Sequence, residues 1–318
     1  MRLNSKKLYW FAMLLMLVAC EESPFVTRKE AEKEIAAINL ERNPFHAIEN
    51  VVAILDNDIY YFHALDEEPV RLTTTPGEEK TNVKLSFDKS RIAYLNGSGT
   101  PVIIRADNGE HIETLDEYAY VTQMDWAKDR LTLYILVESE VVFYGDAIDV
   151  VQPTKVNSWD RVISFSMNSI GDQGYFIEYS ADAFPHWLNL RSEKGGIADE
   201  FSGWDGDNFD YIDFYDNSGG FLLGYEDYYD GSMERIICVQ NYTTYATYKW
   251  DYENMNTPAF NSEHEMLLYG TVEDAGNHMI KAVYLGEKWY EGHGLYDKLT
   301  YVLENHPSAS PIFIDWVQ

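Results

Sequence analysis

Tryptophan followed by aspartate recurs at Trp159-Asp160, Trp204-Asp205 and Trp250-Asp251, at steps of 45 and 46 residues. An aromatic ring beside a carboxylate is suited to stacking on a sugar or clamping a peptide, the carboxylate accepting from hydroxyls, amides or cationic groups. Asp207, Tyr252 and Glu253 extend the pattern. The same pairing also serves structure, because a large apolar residue can end an outer strand while the carboxylate caps the following turn. Leu115-Asp116 and Leu303-Glu304 occupy analogous places. The candidate ligand-binding rim is therefore Trp159, Asp160, Trp204, Asp205, Asp207, Trp250, Asp251, Tyr252 and Glu253.

Other chemistry is looked for and not found. There is no Gly-x-Ser-x-Gly nucleophile elbow, phosphate loop, dinucleotide fingerprint, His-Glu-x-x-His or Cys-x-x-Cys. Asp205-Gly206-Asp207-Asn208-Phe209-Asp210 alternates carboxylates as a calcium loop does, but Phe209 takes the third ligand position and no Glu closes the loop. It reads as a solvated turn, as does the acidic stretch Glu226 to Gly231, and no metal or other cofactor is expected. Cys238, in Ile236-Ile237-Cys238-Val239, reads as a small core residue rather than a nucleophile. With 53 Asp+Glu against 24 Lys+Arg, a formal charge of -29, nucleic acid is excluded as a partner. The chain is thus read as noncatalytic. The competing reading is a glycan hydrolase or lyase whose carboxylates meet near a central channel from distant parts of the chain, where no local motif would show them.

The elements that would carry such a rim repeat. Leu85-Ser86-Phe87-Asp88-Lys89-Ser90-Arg91-Ile92-Ala93-Tyr94 has two runs of strand-forming residues around a polar turn, the pattern of a hairpin. Taking Leu85 as a slot, equivalents are expected at Met124, Phe165, Phe214, Phe260 and Phe313, at steps of 39, 41, 49, 46 and 53 residues. A period near 40 built of short strands is the signature of a β-propeller. Six blades use the whole stretch from residue 50 onward. The first has strands Val51–Leu55, Asp58–His63 and Val70–Thr74 but no slot strand of its own. Pro311–Val317 supplies it, so the C-terminal strand is expected to close the ring.

Leu85–Tyr94 and Phe260–Tyr269 resemble the repeat of TolB-like propellers, Pro-x-aromatic-Ser-Pro-Asp-Gly-x-x-Ile-Ala-aromatic, and Pro258 and Pro311 fall where its leading proline sits. Lys89 and His264 replace the turn glycine; Phe87 and Ser262 replace the second proline. The resemblance covers residues 50–318 and implies an all-β, six-bladed propeller.

Upstream, Arg2, Lys6 and Lys7 precede the apolar run Leu8–Ala19, too short to span a bilayer. Leu17-Val18-Ala19-Cys20 resembles a bacterial lipobox, which implies cleavage before Cys20 and acylation of its thiol and amine. Glu21-Glu22 lacks the aspartate that retains such proteins at the inner membrane, and resembles the surface-export signals of Bacteroidetes lipoproteins. Thr27 to Arg42 predicts a short helix, with Thr27 and Glu30 as a capping box and Ala31, Ile35 and Ile38 as its apolar stripe. The expected organisation is a signal peptide over 1–19, a lipid-anchored linker and helix over 20–49, and the propeller over 50–318. The expected protein is an outer-membrane lipoprotein, periplasmic or surface-facing, whose propeller binds a protein or glycan partner.

Overall fold

The computed structural model describes residues 48–127, 131–138, 140–144, 154–155, 162–167, 173–178, 187–192, 197–201, 208–214, 220–229, 232–241, 246–251, 256–261, 266–272, 278–284 and 299–317. All of them belong to the unit Ala47–Gln318. Cys20 and the helix expected from Thr27 to Arg42 lie outside these residues. Every regular element among the described residues is a strand, and every pairing is antiparallel.

In chain order the strands are β1 (Glu49–Leu55), β2 (Asp58–Ala64), β3 (Val70–Arg71), β4 (Lys80–Leu85), β5 (Arg91–Asn96), β6 (Pro101–Arg105), β7 (His111–Thr114), β8 (Val121–Trp126), β9 (Leu133–Val137), β10 (Glu140–Tyr144), β11 (Thr154–Lys155) and β12 (Val162–Met167). They continue as β13 (Gln173–Glu178), β14 (Trp187–Ser192), β15 (Ile197–Phe201), β16 (Asn208–Phe214), β17 (Gly220–Tyr229), β18 (Ser232–Asn241), β19 (Ala246–Asp251), β20 (Asn256–Asn261), β21 (Met266–Val272), β22 (His278–Tyr284), β23 (Leu299–Ser308) and β24 (Phe313–Trp316). They form four-stranded sheets: β4 to β7, β8 to β11, β12 to β15, β16 to β19 and β20 to β23 in sequence order, and one with the order β24-β1-β2-β3. The first strand of each sheet meets its neighbours: β4 lies against β24 and β8, β12 against β8 and β16, and β20 against β24 and β17.

Stacking explains the composition. A sheet covered on both faces needs apolar residues on both, so its strands read as continuous runs rather than alternating ones. Val51–Leu55 is buried throughout, as are Leu133–Leu136 and Val102–Ile104. One face of the first sheet packs Val52, Ile54 and Ile59 against Val83, Leu85, Ile92 and Ile104 of the next. The opposite face of that next sheet packs Ala93, Leu95 and Ile103 against Met124, Trp126, Leu133 and Ile135.

The turns follow local chemistry. Asp56 and Asn57 take φ values of 49 and 62, the conformation of a two-residue hairpin turn, which joins β1 to β2. Lys89, at φ 61, stands in the left-handed region that the glycine of the resembled repeat enters readily. Asp88 supports it by accepting from the Ser86 hydroxyl at 2.7 Å and from the Ser90 amide at 3.0 Å. These bonds hold the Asp88 carboxyl below the usual range although burial pushes the other way. The connection from β3 to β4 is tied down by two buried charges. Asp58 accepts from Arg71, from the Thr73 hydroxyl and from the Thr75 amide. Lys80 donates to the carbonyls of Asn57, Thr75 and Glu78 and to the Thr75 hydroxyl, at 2.7 to 3.1 Å.

Two expectations change here. Glu226 to Tyr229, expected in a loop, belong to β17, and Tyr229 pairs with Ser232 of β18. Tyrosines such as Tyr228 and Tyr229 favour a strand. The repeat slots also shift. Leu85 pairs with Ile92, Phe214 with Phe221 and Phe260 with Leu267, each seven residues on. The same offset of seven is made by Trp126 with Leu133 and Met167 with Gly174, not by Met124 and Phe165. In β24 the equivalent is Trp316 rather than Phe313, because Trp316 follows Asp315 as Trp126 follows Asp125. In β8 and β12 the read and actual slots stand two residues apart on one face of the strand, Met124 and Trp126 or Phe165 and Met167, so alternation alone does not choose between them.

The C-terminal strand is held along its length. Ile54, Ala53, Val52 and Val51 of β1 pair with Phe313, Ile314, Asp315 and Trp316. The Trp316 indole donates to the Glu49 carbonyl at 2.9 Å. Just upstream, Asp56 accepts from the Ala309 amide and from the Ser308 hydroxyl. Gly270 makes room for the approach of Ile312, since a Cβ there would stand 2.7 Å from Ile312 side-chain and backbone atoms. Removing residues 311–318 is expected to abolish cooperative thermal unfolding, by uncovering β1 and the apolar face behind it. A truncated chain that stays monomeric and melts in one sharp transition would contradict this.

Candidate functional site

Of the rim residues read from the sequence, Trp250 and Asp251 lie among the described residues. They are the last two positions of β19, the outermost strand of its sheet, opposite Ile237 and Ile236. Trp159, Asp160, Trp204, Asp205, Asp207, Tyr252 and Glu253 lie outside the described residues. Cys238 pairs with Leu223 and Lys249 within the same sheet.

The analogous turn after β7 is described in full. Leu115 is buried in the core with Ala93, Leu95 and Trp126, and its amide donates to the Pro101 carbonyl at 2.9 Å. Asp116 and Glu117 are exposed, and Tyr120, at φ 61, is 78% exposed. At this turn the apolar member of the pair belongs to the core. The carboxylates and the aromatic that follow it face solvent.

The structure also brings together a set that the sequence reading missed. With the slots corrected, the residue just before each slot occupies one equivalent place per sheet: Lys84, Asp125, Ser166, Asp213, Ala259 and Asp315. Their partners across the first ladder are Ala93, Tyr134, Tyr175, Leu222, Leu268 and Val52. Asp315 accepts from the Leu85 amide at 2.7 Å and from the Lys84 ammonium at 3.1 Å. Lys84 also reaches Asp213 at 3.5 Å. The Ser166 hydroxyl lies 3.0 Å from Asp125 and 3.3 Å from Asp213. Lys84, Asp125, Ser166 and Asp315 are buried, and Asp213 is nearly so. One polar cluster therefore joins five of the sheets.

Its electrostatics follow from burial. Desolvation lifts the Asp315 carboxyl above the usual carboxylate range, and Asp213 reinforces this, while Lys84 and the Leu85 amide act against it. Neighbouring bonds lock the strands that carry the cluster. The Trp126 indole donates to the Lys84 carbonyl at 3.2 Å, and Asn82 donates to the Thr122 carbonyl at 2.8 Å. Gln123 donates to the Phe165 carbonyl at 2.7 Å, and accepts from the Ser164 hydroxyl and the Phe165 amide. A signal was present in the sequence: Lys84 and Asp213 each precede an apolar slot that was read correctly. The misplaced slots at Met124, Phe165 and Phe313 hid the equivalence of Asp125, Ser166 and Asp315.

Such a cluster acts as a joint. Breaking a buried pair leaves an uncompensated charge, at a cost of about 3–5 kcal/mol. Lys84→Met keeps the stem and removes the ammonium, so a loss of that size is expected in urea unfolding. A loss under about 1 kcal/mol, the scale of an exposed pair, would contradict the burial of this cluster.

No protein-family model and no curated protein sequence matches the chain. Solved structures do. TolB from Acinetobacter baumannii is similar at 11% identity and a TM-score of 0.63, over 92% of this chain and 73% of that one. A chain of a nidogen–laminin complex is similar at 8% identity and a TM-score of 0.57, over 85% of this chain and 98% of that one. At such identities the likeness speaks to the fold alone, and that fold is a β-propeller.

Proposed function

We propose that this chain is a noncatalytic envelope lipoprotein, anchored by lipid at Cys20, whose propeller binds a protein or glycan partner. The signal peptide occupies 1–19, the anchored linker and helix 20–49, and a six-bladed propeller 50–318, closed by pairing β24 with β1. The anchor places it at the outer membrane.

The observation that carries the noncatalytic reading is the commitment of the axial carboxylates. Asp125, Asp213 and Asp315 are the groups that a glycan hydrolase or lyase would recruit near the centre. Here they are spent on Ser166, on Lys84 and on the Leu85 amide. A general acid or base must reach the substrate proton, and these oxygens face protein donors instead. Binding then falls to the periphery. The rim of Trp159, Asp160, Trp204, Asp205, Asp207, Trp250, Asp251, Tyr252 and Glu253 is the proposed surface, supported by the exposed carboxylates and Tyr120 at the analogous turn. Acceptors beside aromatic rings suit a partner rich in hydroxyls, amides or positive charge. No metal is assigned to it, and the net charge of -29 argues against nucleic acid.

Crosslinking on intact cells, followed by capture of the chain and identification of bound protein or glycan, tests the reading. Tyr252→Ala and Glu253→Gln are expected to cut capture by about tenfold or more with an unchanged melt. Trp250→Ala separates the two roles of that ring, since a strand-end side chain in the core should cost about 3–5 kcal/mol on truncation. Cys20→Ala should abolish acyl labelling and leave uncleaved precursor. Turnover of a captured glycan that survives both rim substitutions and fails on Asp125→Asn would overturn the noncatalytic reading.

A further inference from the structure

The connection between β3 and β4 gathers oxygen atoms round one point. The Lys80 ammonium donates to the carbonyls of Asn57 at 2.7 Å, Thr75 at 2.9 Å and Glu78 at 3.1 Å, and to the Thr75 hydroxyl at 2.9 Å. Lys80 is 2% exposed, although Thr74 to Glu79 beside it face solvent. An ammonium brings three hydrogens to these acceptors, and a neutral amine would bring two. The charged form is therefore the one that the loop fits. Burial lowers the Lys80 pKa from the usual lysine value, while Asp58 and Glu78 act against this.

The loop builds the cage itself. The buried carboxylate of Asp58 is matched elsewhere, to Arg71, the Thr73 hydroxyl and the Thr75 amide. It acts one layer out, by holding the residue that gives Lys80 both a carbonyl and a hydroxyl. Asn57 stands at φ 62, and its side chain donates to the Pro76 carbonyl at 3.2 Å. The Glu78 amide donates to the Thr75 carbonyl at 3.0 Å and closes the turn. Five residues before the other slots stand Val121, Val162, Phe209, Met255 and Pro311. The repeat does not call for a cation there, so this connection departs from it.

Carbonyl and hydroxyl oxygens replace the water shell of a bound cation. The distances decide which cation. Calcium lies about 2.3–2.6 Å from its oxygens and magnesium about 2.0–2.1 Å. Both are shorter than the 2.7 to 3.1 Å found here, and the four acceptors are neutral. A large ion with one charge fits; a compact double charge does not. We infer that the β3–β4 connection is a monovalent-cation site, of the size that takes potassium or ammonium, whose resident cation is the chain's own Lys80. The inference stands apart from the reading of the rim.

The test uses the full chain with Lys80→Ala, melted beside wild type in potassium, n-propylammonium or tetramethylammonium chloride at matched ionic strength. Propylammonium replaces both the stem and the ammonium of the lysine; tetramethylammonium is bulky and has no N–H. The variant is expected to melt below wild type in tetramethylammonium and to recover in potassium or propylammonium. Once the ion exceeds its Kd, the unfolding constant should fall about tenfold for each tenfold rise in concentration, with no such dependence in wild type. A variant that responds to the three salts alike would overturn the inference. Magnetic resonance of wild-type protein carrying isotope-labelled lysine gives a second readout that needs no variant to fold. A slowly exchanging ammonium signal, split by three hydrogens and assigned to Lys80, is expected at neutral pH. A neutral amine, or an ammonium exchanging as fast as those of exposed lysines, would equally overturn the inference.

Discussion

Burial of charge where five of the sheets meet constrains everything around it. Lys84 and Asp315 come from strands 231 residues apart in sequence and meet at 3.1 Å inside the protein. Neither charge would persist there alone, because removal from water costs several kcal/mol per ion before any partner is counted. The Leu85 amide fixes Asp315 from a second side. The last strand of the chain must therefore dock on β1 before Lys84 gains its shorter carboxylate contact, Asp213 standing at 3.5 Å, and β4 must be in place before Asp315 accepts from Lys84 and the Leu85 amide. Mutual dependence of that kind makes a set of stacked sheets cooperative, since apolar contacts between sheets slide more easily than a directed ionic bond. The apolar clusters on either side supply bulk stabilisation, and the cluster at the centre supplies register.

How much of this was legible is a question about phase. The repeating hairpin, the all-β class and the assignment of Pro311–Val317 to the sheet of β1 follow from strand propensity, turn chemistry and a missing first strand, and β24 does pair with β1. The register was another matter. Met124 and Trp126 lie two apart in β8, and Phe165 and Met167 two apart in β12, so alternation, the usual guide to register, does not choose between them. A two-residue error at Met124 and Phe165 left the hydrophobic logic intact, and it concealed that Asp125 and Ser166 are equivalent to Lys84. Asp315 was concealed by a three-residue error, the slot being read at Phe313 and not at Trp316. The cluster was hidden because its members are single polar residues in five separated segments, each unremarkable alone.

The rim shows the complementary limit. Trp-Asp pairs recur in sequence for reasons that serve both packing and binding, and the described turn after β7 separates them. Leu115 is core, whereas Asp116, Glu117 and Tyr120 meet solvent. A surface of acceptors and rings held on rigid sheets is an economical way to recognise a partner, because little side-chain freedom remains to be lost on binding.

As a joint between sheets, the buried polar groups must be coupled to one another. A double-mutant cycle over Lys84→Met and Asp315→Asn, read by urea unfolding, measures that coupling directly. The prediction is a coupling free energy of about 1–3 kcal/mol, the range for residues in one buried network, with the double variant far less destabilised than the sum of the single variants. Additive losses, within about 0.5 kcal/mol, would mean that the two charges act independently and that the sheets are held together by something else.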